Sequence, residues 1–563
     1  MYYDAELGRL FVANGWNCRI EILDYDAKSG TITRRPPETG IAWGFWVTHG
    51  VAGLPDGGLL GVQTAFGGLR LFHERGELNR TSQPYRDIGA GIFGRMEGVA
   101  DVAVAPQSGR VAVIDRHKDR VCVFPADFSL PAHPRASRIA DDGALITYGT
   151  HAAVPTKIRL RENAYPLLTP ERYVKGGFGT PVERVIDASA STGHEIELAD
   201  LKPATRYYYR VHMGEARTVP GDGWTMEYAI NTLAADGQTS FITIPVKVLL
   251  VANLVAVDSL PDGEDAAAVP EPPKMTEEDV ERYYAAMFRE MQLHFWVNSR
   301  MKYFVELDLY VDHTVYRKGG LKEGAPEWYR ALPEQNHLKS LERLIEEAGR
   351  ADKLYYGQVI CEAEQRWDAG RKAWRYQGSG GGTYGVDWPQ PGRTHFLGGS
   401  DVAWLLAHEY KHQMESQASN SGMDTEDDRM WFCHFSPAWD DPNTPHVDWE
   451  WDTAADHGEH WDGVAWQLRH FTQDQYMRLA YGVLETAVDR DGDGIPDEAP
   501  RLPLDEKRLG SNPELIDTDD DGVPDLEELL ASTWVTALLT DTRARISVPY
   551  VRPDPTKVDS DGD

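Results

Sequence analysis

Ala407-His408-Glu409-Tyr410-Lys411-His412 lies inside a run, 400–417, whose residues suit a helix. Ser400 follows two glycines and can cap the N-terminus, Asp401 suits the positive end of the helix dipole, and Val402, Leu405 and Leu406 recur at helical spacing. Residues four apart on a helix stand one turn above each other. His408 and His412 can therefore aim two imidazoles at one Zn²⁺, with Glu409 within reach of its water. This stretch decides the fold reading, because the elements around it must form a domain that holds a metal.

A zinc hydrolase keeps three protein ligands and one open position. The third ligand is expected in 453–471, TAADHGEHWDGVAWQLRHF, where Asp456, His457, Glu459 and His460 are the candidates. In a helix there, His457, His460, Trp461, Val464 and Leu468 share one face and Glu459 points largely away, which ranks His457 first. Glu409 is the expected general base, taking a proton from water and passing it to the leaving amine. Tyr476, Tyr481 and His460 are the candidate donors to the oxyanion, and spacing does not choose among them.

Upstream, 242–251 (ITIPVKVLLV) is a continuous apolar run that reads as a buried strand. A linker rich in Pro, Asp and Ala (258–274) precedes an amphipathic helix over 276–296 that opens T-E-E-D, a strand over 304–311 and a helix over 338–348. The Gly-rich stretch 378–385 reads either as an extended edge able to pair with a peptide or as a loop, and its composition favours the loop. The tryptophans Trp431, Trp439, Trp449, Trp451, Trp461 and Trp466 suit either sugar stacking or core packing, the commoner use of tryptophan. This order of elements before H-E-x-x-H resembles the N-terminal subdomain of zincin metallopeptidases over 241–485. The resemblance implies an α+β domain that hydrolyses peptide bonds, as an endopeptidase rather than an exopeptidase. Resemblance to gluzincins would favour Glu459 as third ligand, but their E-x-x-x-D pattern is absent. The metzincin extension is broken by Glu415 and Ala418.

Residues 1–135 repeat a strand-pair pattern about every fifty residues: 8–14 with 19–22, 57–63 with 70–72, and 109–115 with 120–124. The third unit, GVADVAVAPQSGRVAVIDRHKDRVCVF, resembles the NHL-type propeller repeat. Propellers close with roughly four to eight blades, so these blades are expected to be incomplete and N-terminal sequence, including a secretion signal, to be missing. Residues 140–236 form a second all-β unit. Leu201-Lys202-Pro203-Ala204-Thr205-Arg206-Tyr207-Tyr208-Tyr209-Arg210-Val211 resembles the corner and strand of fibronectin type III domains, which implies a β-sandwich that spaces or docks other domains.

In 486–563 the pattern D-x-D-x-D-G-x-x-D occurs twice, as Asp489, Asp491, Asp493, Asp497 and as Asp517, Asp519, Asp521, Asp525, and Asp559-Ser560-Asp561-Gly562-Asp563 begins a third. Alternate carboxylates on a glycine-bent turn converge hard oxygens on Ca²⁺. With Leu509-Gly510-Ser511-Asn512-Pro513 between the loops and Leu526-Glu527-Glu528 after them, the tail resembles thrombospondin type 3 repeats, here cut mid-repeat. From 485 onward 21 acidic side chains face 8 basic ones, a surplus that calls for solvent or cations.

The expected fold is therefore multidomain: an all-β propeller-like fragment and a β-sandwich, an α+β zincin domain, and a loop-rich calcium tail. At 563 residues, 41% hydrophobic and 10% aromatic, the chain can bury several cores. A net charge of -32 argues against nucleic acid as a partner. Cys18, Cys122, Cys361 and Cys433 form no C-x-x-C motif, and no apolar run reaches the length of a membrane span. The sequence reading is a secreted zinc metallopeptidase with Zn²⁺ and Ca²⁺ as cofactors, a protein or peptide substrate, and a cell-surface or matrix ligand for the β domains. Its rival is an extracellular adhesion protein with a degenerate zincin domain.

Overall fold

The computed structural model describes residues 1–397 except 15–18, 43–47, 64–67, 73–74, 79–85, 89–98, 107–109, 116–118, 125–131, 164–180, 215–222, 321–329, 350–352, 377–379, 385–391 and a few single positions; beyond these it describes Leu406, Tyr410, Gln413, 473–531 and 555–558. The described residues are β-rich and fall into several sheets.

Three antiparallel sheets follow one another in the first part. The first runs from Tyr2–Asp4 through Arg9–Asn14 and Arg19–Asp26 to Thr31–Arg34, the second joins Thr48–Gly53, Leu59–Gln63, Gly68–Phe72 and Arg86–Ile88, and the third joins Val99–Val104, Val111–Asp115 and Arg120–Phe124. Side chains alternate faces along a strand, and the middle sheet uses both. Val51, Leu59 and Phe72 pack with Phe11, Ile20 and Ile22 of the first sheet, while Ala52, Leu60, Val62 and Leu69 pack with Val99, Val102, Val111 and Val113 of the third.

The next five strands, Ala132–Ser137, Ala144–Asn163, Val182–Leu198, Arg206–Val211 and Tyr228–Asn231, join one antiparallel sheet. Buried Tyr207 accepts a hydrogen bond at its phenol oxygen from the Lys202 N–H at 2.9 Å, which pins the turn before its strand. Arg206, fully buried, donates to the carbonyls of Leu479, Ala480 and Gly482 and to Asn231 Oδ1. Asn231 donates to Met477 and Leu479 carbonyls. A buried guanidinium is tolerable because its fork is saturated by carbonyl oxygens, and this contact fastens the sheet to the segment 477–482.

The α/β unit is built on β1 (Gln238–Ala256), which is buried along almost its whole length. The 242–251 run is its centre, and continuous burial follows from neighbours on both sides and both faces. β1 pairs in parallel with β2 (Tyr303–Lys318) and β3 (Gly357–Asp368), and β3 pairs in parallel with β5 (Gly392–Leu397). At the end of the sheet, β4 (Gly380–Tyr384) pairs antiparallel with β5. The Gly-rich stretch is thus a strand over these residues, not the loop its composition favours; its register with β5 outweighs glycine's low strand propensity. β6 (Val483–Val488) adds antiparallel to the start of β1.

Between β1 and β2 the T-E-E-D that opens the expected helix forms a capping box: Thr276 Oγ1 accepts from Asp279 N and Asp279 Oδ2 accepts from Thr276 N. A π-helical stretch, Val280–Ala285, then leads into α1 (Ala286–Asn298). α2 (His337–Glu347) is capped by Asn336 and buries Leu341 and Ile345. Its last carbonyls receive Lys247 Nζ from β1, to Ile345 O at 3.1 Å and Ala348 O at 2.9 Å, which places a cation at the negative end of the helix.

The tail is not a separate bead. Ile495, Leu502, Leu504, Leu509, Leu526 and Leu529 share one hydrophobic cluster with Phe241, Trp296, Val297, Met301 and Phe304 of the α/β unit. Trp296 Nε1 donates to Leu504 O at 3.0 Å, and Arg501 pairs with Glu485 and donates to Thr243 Oγ1.

Candidate metal centres

Of the H-E-x-x-H segment the structure describes Leu406, Tyr410 and Gln413, all helical and fully buried. Tyr410 packs edge-on to Phe295 of α1, with ring centroids 5.5 Å apart, and Gln413 Nε2 donates to Gln358 O of β3 at 3.0 Å. This face of the segment is the one that meets the sheet. His408, Glu409, His412, Asp456, His457, Glu459 and His460 lie outside the described residues. Tyr476 and Tyr481, the candidate oxyanion donors, are buried in the main core, Tyr476 against Tyr303.

Both complete aspartate loops of the tail lie within the described residues, whereas the third repeat, from Asp559, lies outside them. The two loops have the same backbone design. In the first, Asp489 accepts the N–H groups of Gly492 and Gly494, Asp491 that of Asp493, and Asp493 that of Ile495. In the second, Asp517 accepts from Asp520 and Gly522, Asp519 from Asp521, and Asp521 from Val523. The fourth and sixth positions take positive φ in both loops, through Gly492 (79°) and Gly494 (102°) and through Asp520 (63°) and Gly522 (95°), a conformation open to glycine and tolerated by Asp. These turns hold the carboxylates in place and leave oxygens free to face inward.

Asp489, Asp491 and Asp493 bring one ligand oxygen each within 4.8 Å of one another, and so do Asp517, Asp519 and Asp521. A third group joins Asp493, Glu506 and Asp525 at the same limit. Asp497 is in none of these groups; its two oxygens accept from Arg490, one from the backbone N–H and one from the guanidinium. Asp525 likewise accepts from the N–H and hydroxyl of Thr518.

Inward-facing oxygens Asp491 Oδ2, Asp493 Oδ2, Asp519 Oδ2, Glu506 Oε2 and Glu528 Oε2 are buried and receive no hydrogen bond. Buried carboxylate oxygens without donors, in a shell of hard oxygens only, suit Ca²⁺ better than zinc. The electrostatics agree. Burial, with Asp491 beside it, pushes the Asp489 carboxyl up to about 6, and burial with Asp491 and Asp489 nearby pushes Asp493 up to about 8. Burial, with Asp491 and Asp493 nearby, pushes Glu506 up to about 8, and burial beside Asp519 and Asp521 pushes Glu528 up to about 7. Lys302 is a nearby counter-charge: burial lowers its ammonium to about 8 against the pull of Asp489, and it donates to Thr239 Oγ1 at 2.6 Å.

No protein-family model matches the chain, and no curated protein matches it either. Among solved structures, a structure of PhoD is 15% identical over 20% of this chain and 22% of that one, with a TM-score of 0.13. The sensor domain of the anti-sigma factor RsgI4 of Pseudobacteroides cellulosolvens is 19% identical over 19% of this chain and 97% of its own, TM-score 0.12. The FN1-FN3 domains of chicken CNTN1 are 11% identical over 38% and 77%, TM-score 0.12. Scores this low carry no argument about fold or activity.

Two acidic residues at these centres escaped the sequence reading. Glu528 stands at the twelfth position counted from Asp517, and counting would have found it. The twelfth position of the first loop is Pro500, which has no side-chain oxygen to offer. Glu506 comes to the loop because 498–505 fold back on it, with Glu506 N donating to Pro496 O and Lys507 N to Asp497 O.

Proposed function

We propose that the chain is a secreted zinc-dependent metallopeptidase whose tail is held to the α/β unit by calcium. The observation that carries the reading is the burial of Leu406, Tyr410 and Gln413, with Tyr410 against α1 and Gln413 hydrogen-bonded to β3. A helix turns about 100° per residue, so positions 408 and 412 fall roughly 200° and 240° round from Leu406, on the side away from that buried face. The described packing seats Leu406, Tyr410 and Gln413, and helical spacing alone assigns the two histidines to the opposite face. β4, antiparallel at the end of the sheet and just upstream, offers a backbone edge to which an extended peptide could add.

Zinc, when bound, supplies a Lewis acid and an acidified water. The chain's own part is assigned as follows. His408 and His412 hold the metal, with His457 ranked first as third ligand, and Glu409 takes the proton of the attacking water and returns it to the leaving amine. Calcium loops of this kind suit an extracellular protein, where the ion is millimolar. Elemental analysis tests the reading. The purified chain is expected to carry about one zinc per molecule, lost in the His408→Ala/His412→Ala double variant. Equal zinc in both, or none in the wild type, overturns it and leaves the adhesion reading.

A further inference from the structure

The first aspartate loop lacks a carboxylate at its twelfth position, Pro500, yet it is the more buried of the two loops. We infer that Glu506 supplies the missing ligand and that Asp525, from the second loop, joins it, so that a cation held with Asp493 bridges the two loops. This rests on the calcium reading of the D-x-D-x-D loops and adds to it two residues outside the first loop.

Glu506 is fully buried, and its Oε2 has no hydrogen-bond donor. The ligand oxygens of Asp493, Glu506 and Asp525 lie within 4.8 Å of one another. A buried carboxylate facing two others is strongly unfavourable without a cation, and becomes favourable when hard oxygens share one. The rest of Glu506 is fixed. Its Oε1 accepts from Ser511 Oγ at 3.2 Å, its N–H donates to Pro496 O, and its neighbour Leu509 sits in the cluster shared with Trp296 and Phe304. Asp525 is equally placed by Thr518. The bridge therefore links loop to loop, and both to α1. Arg300 of the turn after α1 pairs with Glu527, two residues beyond Asp525.

Calcium titration of the full chain by calorimetry, with thermal melting in calcium and in chelator, tests this. Glu506→Gln keeps the shape and the Ser511 hydrogen bond but removes the charge. It is expected to weaken calcium binding roughly ten-fold or more, and to melt lower than wild type in calcium but higher in chelator, because the uncompensated buried charge is gone. Asp525→Asn should behave the same way, and either substitution should be non-additive with Asp493→Asn. Unchanged calcium affinity in Glu506→Gln and Asp525→Asn, or the same melting difference with and without calcium, overturns the bridge while leaving the loops as calcium sites. A wild-type chain that binds no calcium overturns both readings together.

Discussion

The two aspartate loops carry one pattern, D-x-D-x-D-G-x-x-D, and fold with the same turns, yet they sit in different surroundings. In the first loop the seventh residue, Ile495, is fully buried in the cluster shared with the α/β unit; in the second it is Val523, 40% exposed. Asp489 and Asp493 are pushed up to about 6 and 8 by burial, while Asp519 and Asp521 of the second loop lie nearer solvent and only Asp525 of that loop's pattern is buried. The same spelling thus makes a core element in one place and a surface clip in the other. The difference comes from the residues after the first loop, where Leu502, Leu504 and Leu509 fold back over it.

Ile495→Ala should reveal that difference most strongly. Removing a fully buried isoleucine costs about 2–5 kcal/mol, and Val523→Ala, at the matching position, should stay within about 0.5 kcal/mol because its side chain is partly solvated. Urea unfolding of both variants in calcium compares them; equal losses would mean the first loop is not part of the shared core.

Calcium removal comes next. A site saturated at one hundred times its dissociation constant adds about 2.7 kcal/mol. Chelation should therefore lower the melting temperature of the α/β unit, and not merely free the tail, since the first loop shares the unit's core. Scanning calorimetry that shows an unmoved main transition would separate tail from core. A smaller effect is expected from charge. Asp493→Asn should weaken calcium binding roughly ten-fold, about 1.4 kcal/mol, yet raise the melting temperature in chelator by relieving buried repulsion. Asp521→Asn should weaken binding with little change in chelator. Similar behaviour of the two variants in chelator would show that burial does not distinguish the loops.

The fold was legible where residues speak locally. T-E-E-D announced a helix start, where the structure has a capping box, ITIPVKVLLV a buried strand, and L-x-P-x-T-x-Y a corner and strand, where the Tyr207 hydroxyl holds the turn at Lys202. It was not legible where tertiary contacts decide. Gly380–Tyr384 reads as a loop by composition and is a strand because β5 offers it a register. The tail reads as a loop-rich calcium region of its own, but the leucines between the loops share a buried cluster with Trp296 and Phe304. Asp497 has the spacing of a ligand and accepts from Arg490 with both oxygens; Glu506 has no such spacing, yet its carboxylate lies beside those of Asp493 and Asp525. Of the H-E-x-x-H segment, periodicity predicts an apolar helical face, and Leu406 and Tyr410 are indeed buried on one. The roles proposed for His408, His412, His457 and Glu409 are read from spacing, at positions outside the described residues.

Glu409→Gln tests the central claim most directly. The amide keeps the shape of the side chain but cannot accept the water's proton at neutral pH. With a quenched peptide library as substrate, wild type should cleave and Glu409→Gln should lose cleavage by several orders of magnitude, with zinc content and melting temperature unchanged. Equal cleavage by the two proteins, or none by a zinc-loaded wild type, would contradict the account.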